Sequence, residues 1–170
     1  MWRLIGAALL SGGGLWMGLQ AAGELAAREK ALESWKDALT LLAGELTFRL
    51  PDLPCLLEEL AARAPSPAGE ALAAVSREMD RLGEEPFSLL WTQTLTRTAG
   101  PLTREDLEPV LRLGNVLGRC GWEEQKQAAE RTWQELDRAV LRLREERSGK
   151  GRAYGALGLS LGAFGAILLL

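Results

Sequence analysis

Residues 4–23 read LIGAALLSGGGLWMGLQAAG and residues 153–170 read AYGALGLSLGAFGAILLL, and neither stretch contains a charged side chain. A helix needs about 20 apolar residues to cross the roughly 30 Å hydrocarbon core of a bilayer, because each residue adds about 1.5 Å. Both stretches are long enough, the second only narrowly. The sequence therefore predicts one transmembrane helix at each end, at 1–25 and 153–170, with a polar domain at 26–150 between them.

Each terminal stretch has an alternative interpretation. The first has features of a cleaved signal peptide, since Arg3 precedes an apolar run. However, the run is long for such a peptide, and only Ala21-Ala22-Gly23 resembles a cleavage site. The alternative for the second stretch is a buried core helix, although a soluble protein rarely exposes an ending such as Gly-Ala-Ile-Leu-Leu-Leu. We favour membrane spans at both ends.

Small residues repeat at helical spacing in both predicted spans, where ten of the 19 glycines are found. Small side chains allow helix backbones to approach closely in lipid. We therefore expect the spans to pack on each other or on partner spans, although glycine is also simply common in membrane helices. The expected packing residues are Ser11, Gly14 and Gly18 in the first span and Gly155, Gly158, Gly162 and Gly165 in the second.

Basic residues are distributed unequally around the predicted spans. Only Arg3 lies outside them, whereas seven basic residues flank them on the inner side. Since basic residues close to a span remain in the cytoplasm, the polar domain should be cytoplasmic and both termini should face outward. The inner residues are Arg28, Lys30, Arg142, Arg144, Arg147, Lys150 and Arg152. The last five could contact anionic lipid, or form a solvated helix face, since Glu145 and Glu146 interrupt them.

Charge and cysteine content exclude several classes of protein. Without Arg3 the chain has 19 basic and 23 acidic residues, so the polar domain has a net charge near −4 and lacks the basic stripe of a nucleic-acid binder. Cys55 and Cys120 lack metal-ligand spacing, and the sequence contains no histidine. In a cytoplasmic domain both cysteines remain reduced, and we expect them to be small buried apolar residues.

The polar domain is predicted to be entirely helical, which makes the fold class an all-α, membrane-anchored helical bundle. Pro and Gly separate about six helices, and no segment shows the alternation of a strand. The first helix continues from the membrane with a stripe that ends before Pro51, and the last begins near Trp122. We expect these two antiparallel helices to pair, with Trp35 and Trp133 as core anchors. The stripes are Leu25, Leu32, Trp35, Leu39, Leu42 and Leu46, and Ala129, Trp133, Leu136, Val140 and Leu143.

Four shorter helices are predicted between the two long ones. The second runs over 54–64, and the third begins with Ser66 as N-cap and Pro67 as first residue and is closed by Gly83. The fourth runs from Pro86 to the Gly100-Pro101 pair. The fifth runs over about 107–117, because we place Pro109 in its first turn.

The sequence contains no recognisable catalytic arrangement. Ser148-Gly149-Lys150-Gly151 lacks the glycine pattern of a phosphate loop, and Gly12-Gly13-Gly14 falls within a predicted span. Acidic pairs such as Glu123-Glu124 are adjacent in sequence, so their carboxylates diverge on a helix. We therefore expect a protein that is not an enzyme and that binds no cofactor or metal.

Three local segments, together with the layout of the whole chain, resemble the stage III sporulation protein AB family. They are Gly18-Leu19-Gln20-Ala21 before the leucine stripe, Glu45-Leu46-Thr47-Phe48 followed by Leu53, and Leu117-Gly118 with Gln125 seven residues later. The family often has an aspartate three residues after that glycine, where this chain has Gly121. The helix cap therefore differs here, with Glu123 or Glu124 assisting from the first turn.

The resemblance implies a function. Members of this family resemble half of the platform proteins of type II secretion and type IV pilus machines. By that similarity the chain is a non-catalytic platform or adaptor of the secretion-like channel between mother cell and forespore. Its partners would be a secretion-type ATPase, similar to stage III sporulation protein AA, and other membrane proteins of the channel, and it would lie on the mother-cell side.

We expect the partner to contact the end of the domain that lies farthest from the membrane, because loop tips often carry contacts. The expected contact residues are Phe48, Leu53, Arg119 and Gln125. Three other classes of function remain open. The first is a membrane-anchored regulator or scaffold that functions without an ATPase. The second is a pore, but a pore needs more polar residues than the predicted spans contain. The third is an extracellular domain, which conflicts with the basic residues on the inner side of the spans.

Overall fold

The computed structural model describes the backbone of residues 2–48 and 52–169, and the side chains of residue 20 and of residues 22–47 and 52–147. All extended elements in this part of the chain are helices, which confirms the all-α fold class. They are α1 (Trp2–Phe48), α2 (Leu53–Arg63), α3 (Ala68–Arg77), a 3-10 turn (Met79–Arg81), α4 (Phe87–Arg97), α5 (Arg104–Leu113) and α6 (Trp122–Leu169).

The chain divides into two compact units. The central unit is the continuous segment Ala26–Val140, and it contains α2 to α5 together with parts of α1 and α6. The terminal unit consists of the two ends of the chain, up to Leu25 and from Leu141 onward. Both long helices therefore belong to both units.

The predicted spans fall almost entirely on residues whose side chains are not described. This holds for all seven small residues expected to pack there. Among the residues that the structure does describe, no helix is sufficiently long and apolar to cross a membrane.

The leucine stripe of α1 forms one wall of the core from Leu32 onward, as predicted, whereas its first predicted member, Leu25, is half-buried. Leu32, Trp35 and Leu39, followed by Leu42 and Leu46, each expose 4% or less of their surface. Such spacing places all five on one helix face. Burying a leucine side chain contributes about 1.5–3 kcal/mol, so this face is a large part of the driving force for folding of the central unit.

Tryptophan placement differs from the prediction in one respect. Trp35 is buried, but Trp133 is only half-buried, and the ammonium group of Lys36 lies over its ring at 4.9 Å from the centroid. The second buried tryptophan is Trp91 of α4, which is 2% exposed and packs edge-on against Trp35 with the ring centroids 6.5 Å apart. Its indole N–H donates a 2.8 Å hydrogen bond to the carbonyl oxygen of Val110, so Trp91 connects α1, α4 and α5.

The predicted start and end of α3 were both wrong. The helix begins at Ala68, and its first N–H donates to the hydroxyl oxygen of Ser34 on α1 at 3.2 Å, so a distant side chain replaces Ser66 as the cap. The helix ends at Arg77 and not near Gly83, because the chain tightens into the 3-10 turn, which buries Met79.

The predicted bounds of α5 were also wrong. The helix begins at Arg104, where Thr103 and Asp106 form a reciprocal capping box, and it ends at Leu113. Pro109 therefore lies inside the helix and not in its first turn. The prediction relied on that proline as a start signal and overlooked the capping box, which fixes the start more strongly.

Both cysteines were predicted to be buried, and neither is. Cys55 is exposed and Cys120 is half-buried. The inward face of α2 is taken by Leu56, Leu57 and Leu60, which leaves Cys55 on the outward side of the helix.

Two glycines in helical conformation should respond in opposite ways to alanine. A Cβ atom at Gly114 would lie 2.3 Å from Cδ1 of Trp91, whereas one at Gly44 of α1 would have no neighbour within 4 Å. We expect Gly114→Ala to lower the free energy of unfolding by about 1–3 kcal/mol through overpacking. Gly44→Ala should raise it by up to about 1 kcal/mol through helix propensity. Urea unfolding of both variants tests this, and equal effects would contradict the close approach of Trp91 to Gly114.

Candidate functional site

The turn between α5 and α6 packs against the start of α2. Gly118 has a φ of 71°, a left-handed conformation that favours glycine. A Cβ atom placed there would lie 2.9 Å from Cδ2 of Leu53, so these two residues are in close contact. The structure thus brings together Leu53 and the 118–121 turn, two parts of the predicted contact tip. The side chain of Phe48 lies outside the described residues.

Gln125 holds this turn in place. Its amide nitrogen donates a 2.7 Å hydrogen bond to the carbonyl oxygen of Cys120, and its amide oxygen accepts a longer one, of 3.4 Å, from the N–H of Gly118. The spacing of seven residues between Gly118 and Gln125 thus has a structural role. Since both ends of the amide are engaged within the chain, Gln125 shapes the tip, and we do not regard it as a contact residue.

The exposed part of the tip combines an aromatic ring with charges. Arg119 is exposed, and Trp122, the first residue of α6, is 39% exposed. Glu123 and Glu124 lie in the first turn of α6, where the helix dipole stabilises carboxylates. The interaction with Glu124 raises the pKa of the Cys120 thiol, which favours the neutral thiol over a reactive thiolate. The sequence prediction placed the 118–124 turn in the contact tip but did not name Trp122, although an aromatic residue directly after a glycine turn was a usable signal.

An ion pair between half-buried Arg28 and buried Asp106 joins α1 to the start of α5. The guanidinium of Arg28 binds both carboxylate oxygens of Asp106, one from Nη2 at 2.9 Å and the other from Nε. Its Nη2 also donates to the hydroxyl of Thr103 at 3.2 Å. Burial alone would raise the pKa of Asp106, but the hydrogen bonds from Arg28 and Thr103 outweigh it and hold this pKa below its ordinary value. Asp106 therefore caps α5 and anchors it to α1.

A second polar contact joins α1 to α6 within the central unit. The ammonium group of Lys36 lies 2.7 Å from Oδ1 of Asp137 and 3.1 Å from Oε2 of Glu33, and it sits over the ring of Trp133. Burial alone would lower the pKa of Lys36, but its bonds to the two carboxylates raise it above the ordinary value. The charged ammonium is thus retained although the residue is only 9% exposed.

These features are typical of a structural or binding role. The two buried charges, Lys36 and Asp106, are each paired with an opposite charge. The tip offers an exposed arginine and tryptophan, the residue types that most often dominate protein interfaces. Among the residues whose side chains are described, no group of three His, Cys, Asp or Glu is placed to hold a metal ion.

The fold and the tip define an all-α protein with a helical central unit and two uncharged stretches near the ends of the chain, 4–23 and 153–170. Its sequence matches the family model described as stage III sporulation protein AB (spore_III_AB) over residues 3–170. The chain belongs to this family of sporulation proteins, which is not a known enzyme family.

A solved structure supports the fold. The chain resembles a structure described as stage III sporulation protein AB (SpoIIIAB) with a TM-score of 0.61 and 18% sequence identity, over 71% of this chain and 95% of that one. No curated protein matches the sequence.

The Arg28–Asp106 pair predicts a pH-dependent loss of stability. At neutral pH, Asp106→Asn should lower the free energy of unfolding by about 2–4 kcal/mol, because Arg28 loses its charged partner. Since the folded-state pKa of Asp106 is lowered, its contribution is complete above the ordinary value of about 3.9 and disappears as the pH falls through the folded-state pKa.

The stability difference between wild type and Asp106→Asn should therefore shrink as the pH is lowered from about 5 to about 2. Urea midpoints at each pH measure it, with Glu108→Gln on the exposed side of α5 as the control. A difference that does not change with pH would contradict the ion pair.

Proposed function

We propose that this protein is a membrane-anchored, non-catalytic platform of a secretion-like channel required for endospore formation. In this role the central unit receives the conformational change of a cytoplasmic secretion-type ATPase. The long helices transmit that change to other membrane proteins of the channel. The ATPase would resemble stage III sporulation protein AA. The protein would lie on the mother-cell side of the forespore outer membrane.

The observation that carries this proposal is the continuity of the two long helices. α1 extends over 47 residues and α6 over 48, and each contains residues of the central unit together with an uncharged stretch, 4–23 in α1 and 153–169 in α6. Such a connection suits a protein that transmits a movement, whereas a simple tether needs only a flexible link.

The charge distribution supports the cytoplasmic location of the central unit. Seven basic residues flank the uncharged ends on the inner side, against Arg3 on the outer side. This imbalance orients membrane proteins with the basic side in the cytoplasm. A cytoplasmic ATPase could then reach the tip.

We assign the ATPase contact to the exposed side chains of the tip, Arg119 and Trp122. Leu53 and Gln125 act indirectly, since both are engaged in holding the turn. Arginine and tryptophan are both enriched among interface hot spots, because each side chain provides a large contact area. The alternative function is a membrane-anchored scaffold or regulator without ATPase coupling, in which case the tip would bind no ATPase.

Topology is the first measurement. Ser66 lies in an exposed loop between α2 and α3, so Ser66→Cys in a Cys55→Ser, Cys120→Ser background provides one accessible thiol. We expect a membrane-impermeant maleimide to label this thiol only after the cells are opened. Labelling of intact cells would place the central unit outside and rule out a cytoplasmic ATPase as its partner.

Binding to the ATPase tests the tip directly. We expect Arg119→Glu to weaken co-purification of the ATPase at least tenfold, or about 1.4 kcal/mol, because it reverses the charge at the centre of the contact. Arg104→Glu is the matched control, since Arg104 is also exposed but lies at the start of α5. Equal binding by both variants and wild type would assign the contact to another surface and favour the scaffold function.

A further inference from the structure

A small apolar cavity lies directly beneath the tip. It has a volume of about 10 Å³ and is lined by leucine, alanine and tryptophan side chains. Both parts of the tip reach it, through Leu53 at the start of α2 and through Leu117, the residue before Gly118. Its lining also includes Trp35 and Leu39 of α1. The tip and the leucine stripe of α1 thus border the same cavity.

Water is a poor occupant of this cavity. The volume barely accommodates one molecule, and a buried water needs about two to four polar partners, which apolar side chains do not provide. Trp91 also lines the cavity, but its indole N–H is engaged with the carbonyl oxygen of Val110. A gap of about 0.5–1 Å already forfeits about a quarter to a half of the dispersion energy of a contact, so closing the cavity would regain packing energy.

The start of α2 is held less firmly than the starts of α3 and α5. Asp52 precedes α2, but its side chain, which the structure describes, makes no capping hydrogen bond. Pro54 in the first turn has no N–H to donate, and the first backbone bond runs from the N–H of Leu56 to the carbonyl oxygen of Asp52 at 2.9 Å. By contrast, a serine of α1 caps α3, and a capping box begins α5. Little therefore opposes a small displacement of the first turn of α2.

The other end of α2 is fixed. The guanidinium of Arg63 pairs with the carboxylate of Glu45 on α1. A Cβ atom at Gly69 of α3 would lie 2.4 Å from the carbonyl oxygen of Ala64, so the chain that leaves α2 packs closely on α3. A helix that is fixed at its end and weakly held at its start can pivot about the fixed end.

We propose that the first turn of α2 and the 118–121 turn move together toward α1, and close the cavity, when a partner presses on the tip. They move together because Leu53 and Gly118 are in close contact and Gln125 bonds to both Gly118 and Cys120. The ion pairs that join α1 to α5 and to α6 involve neither element, so they stay intact during the movement. Only the identity of the partner rests on the proposed function.

Closing the cavity would transfer the load from the tip to α1. Leu42 lines the cavity together with Trp35 and Leu39, and all three belong to the leucine stripe. Leu53 and Leu117 would gain contacts with this stripe, so the tip would push on α1 through packed side chains. The cavity thus allows the tip two positions, and in one of them the tip bears directly on α1.

Methyl NMR of the full-length chain under hydrostatic pressure tests the movement, because pressure favours the state with the smaller internal void. The reference is provided by Leu95 and Leu136, two buried leucines of the described region that lie outside the cavity lining. In the wild type we expect the methyl signals of Leu53 and Leu117 to shift with pressure at least twice as much as those of the reference leucines.

Two variants of α1 separate the effect of the cavity from that of general stability. Ala38 lines the cavity, and Ala38→Val adds two methyl groups there, which should reduce the shifts of Leu53 and Leu117 to the reference level. Gly44→Ala on the same helix adds a methyl group in open space and should leave both shifts unchanged. Circular dichroism verifies that the variants fold, and if Ala38→Val does not, the wild-type comparison decides alone.

Three results would overturn the movement: equal shifts at all four leucines in the wild type, a large shift of Leu53 without one of Leu117, or shifts that a folded Ala38→Val variant leaves unchanged. The measurement uses the chain without a partner, so its outcome is independent of the proposed function. A tip that binds no ATPase would contradict the proposed function and leave a positive pressure result standing.

Discussion

The edge-on contact between Trp35 and Trp91 is the interaction on which the arrangement of the short helices depends. Trp35 lies in the leucine stripe of α1, and Trp91 of α4 packs against it. The indole N–H of Trp91 then bonds to the backbone of Val110, and its ring leaves no room for a side chain at Gly114, so α5 is positioned by the same residue. Short helices of ten or eleven residues are not stable alone, and this contact supplies the packing that they need.

Polar contacts fix the positions of the helices around this apolar core. The bidentate Arg28–Asp106 pair fixes one end of α5 against α1, and Lys36 connects α1 to Asp137 of α6. A bidentate guanidinium–carboxylate pair has a defined geometry, unlike a hydrophobic contact, and it tolerates little sliding between helices. The central unit therefore combines an apolar core, whose contacts could repack, with two polar contacts that limit how far its helices can shift. Such a limit would suit the platform role proposed above, in which a push at one surface moves the whole central unit.

The sequence predicted most features that depend on neighbouring residues, with the capping box of α5 as an exception, and missed those that depend on distant ones. Periodicity identified the α1 stripe, and Pro and Gly separated the helices, because both signals are local. The cap of α3 comes from Ser34, 34 residues upstream of Ala68, and the partner of Asp106 lies 78 residues away, so neither could be found by reading along the chain. The prediction for Trp133 failed for a related reason, because a helical stripe identifies the apolar face but not which of its members the neighbouring helices cover. The prediction for Cys55 failed because its burial was inferred from the residue type alone.

The candidate site was predictable only as a region. The turn at 118–121 and Gln125 could be located from spacing, but the engagement of both ends of the Gln125 amide within the chain could not. Because its amide is engaged in this way, Gln125 shapes the tip and does not contact the proposed partner. The proposed contact residues are therefore Arg119 and Trp122.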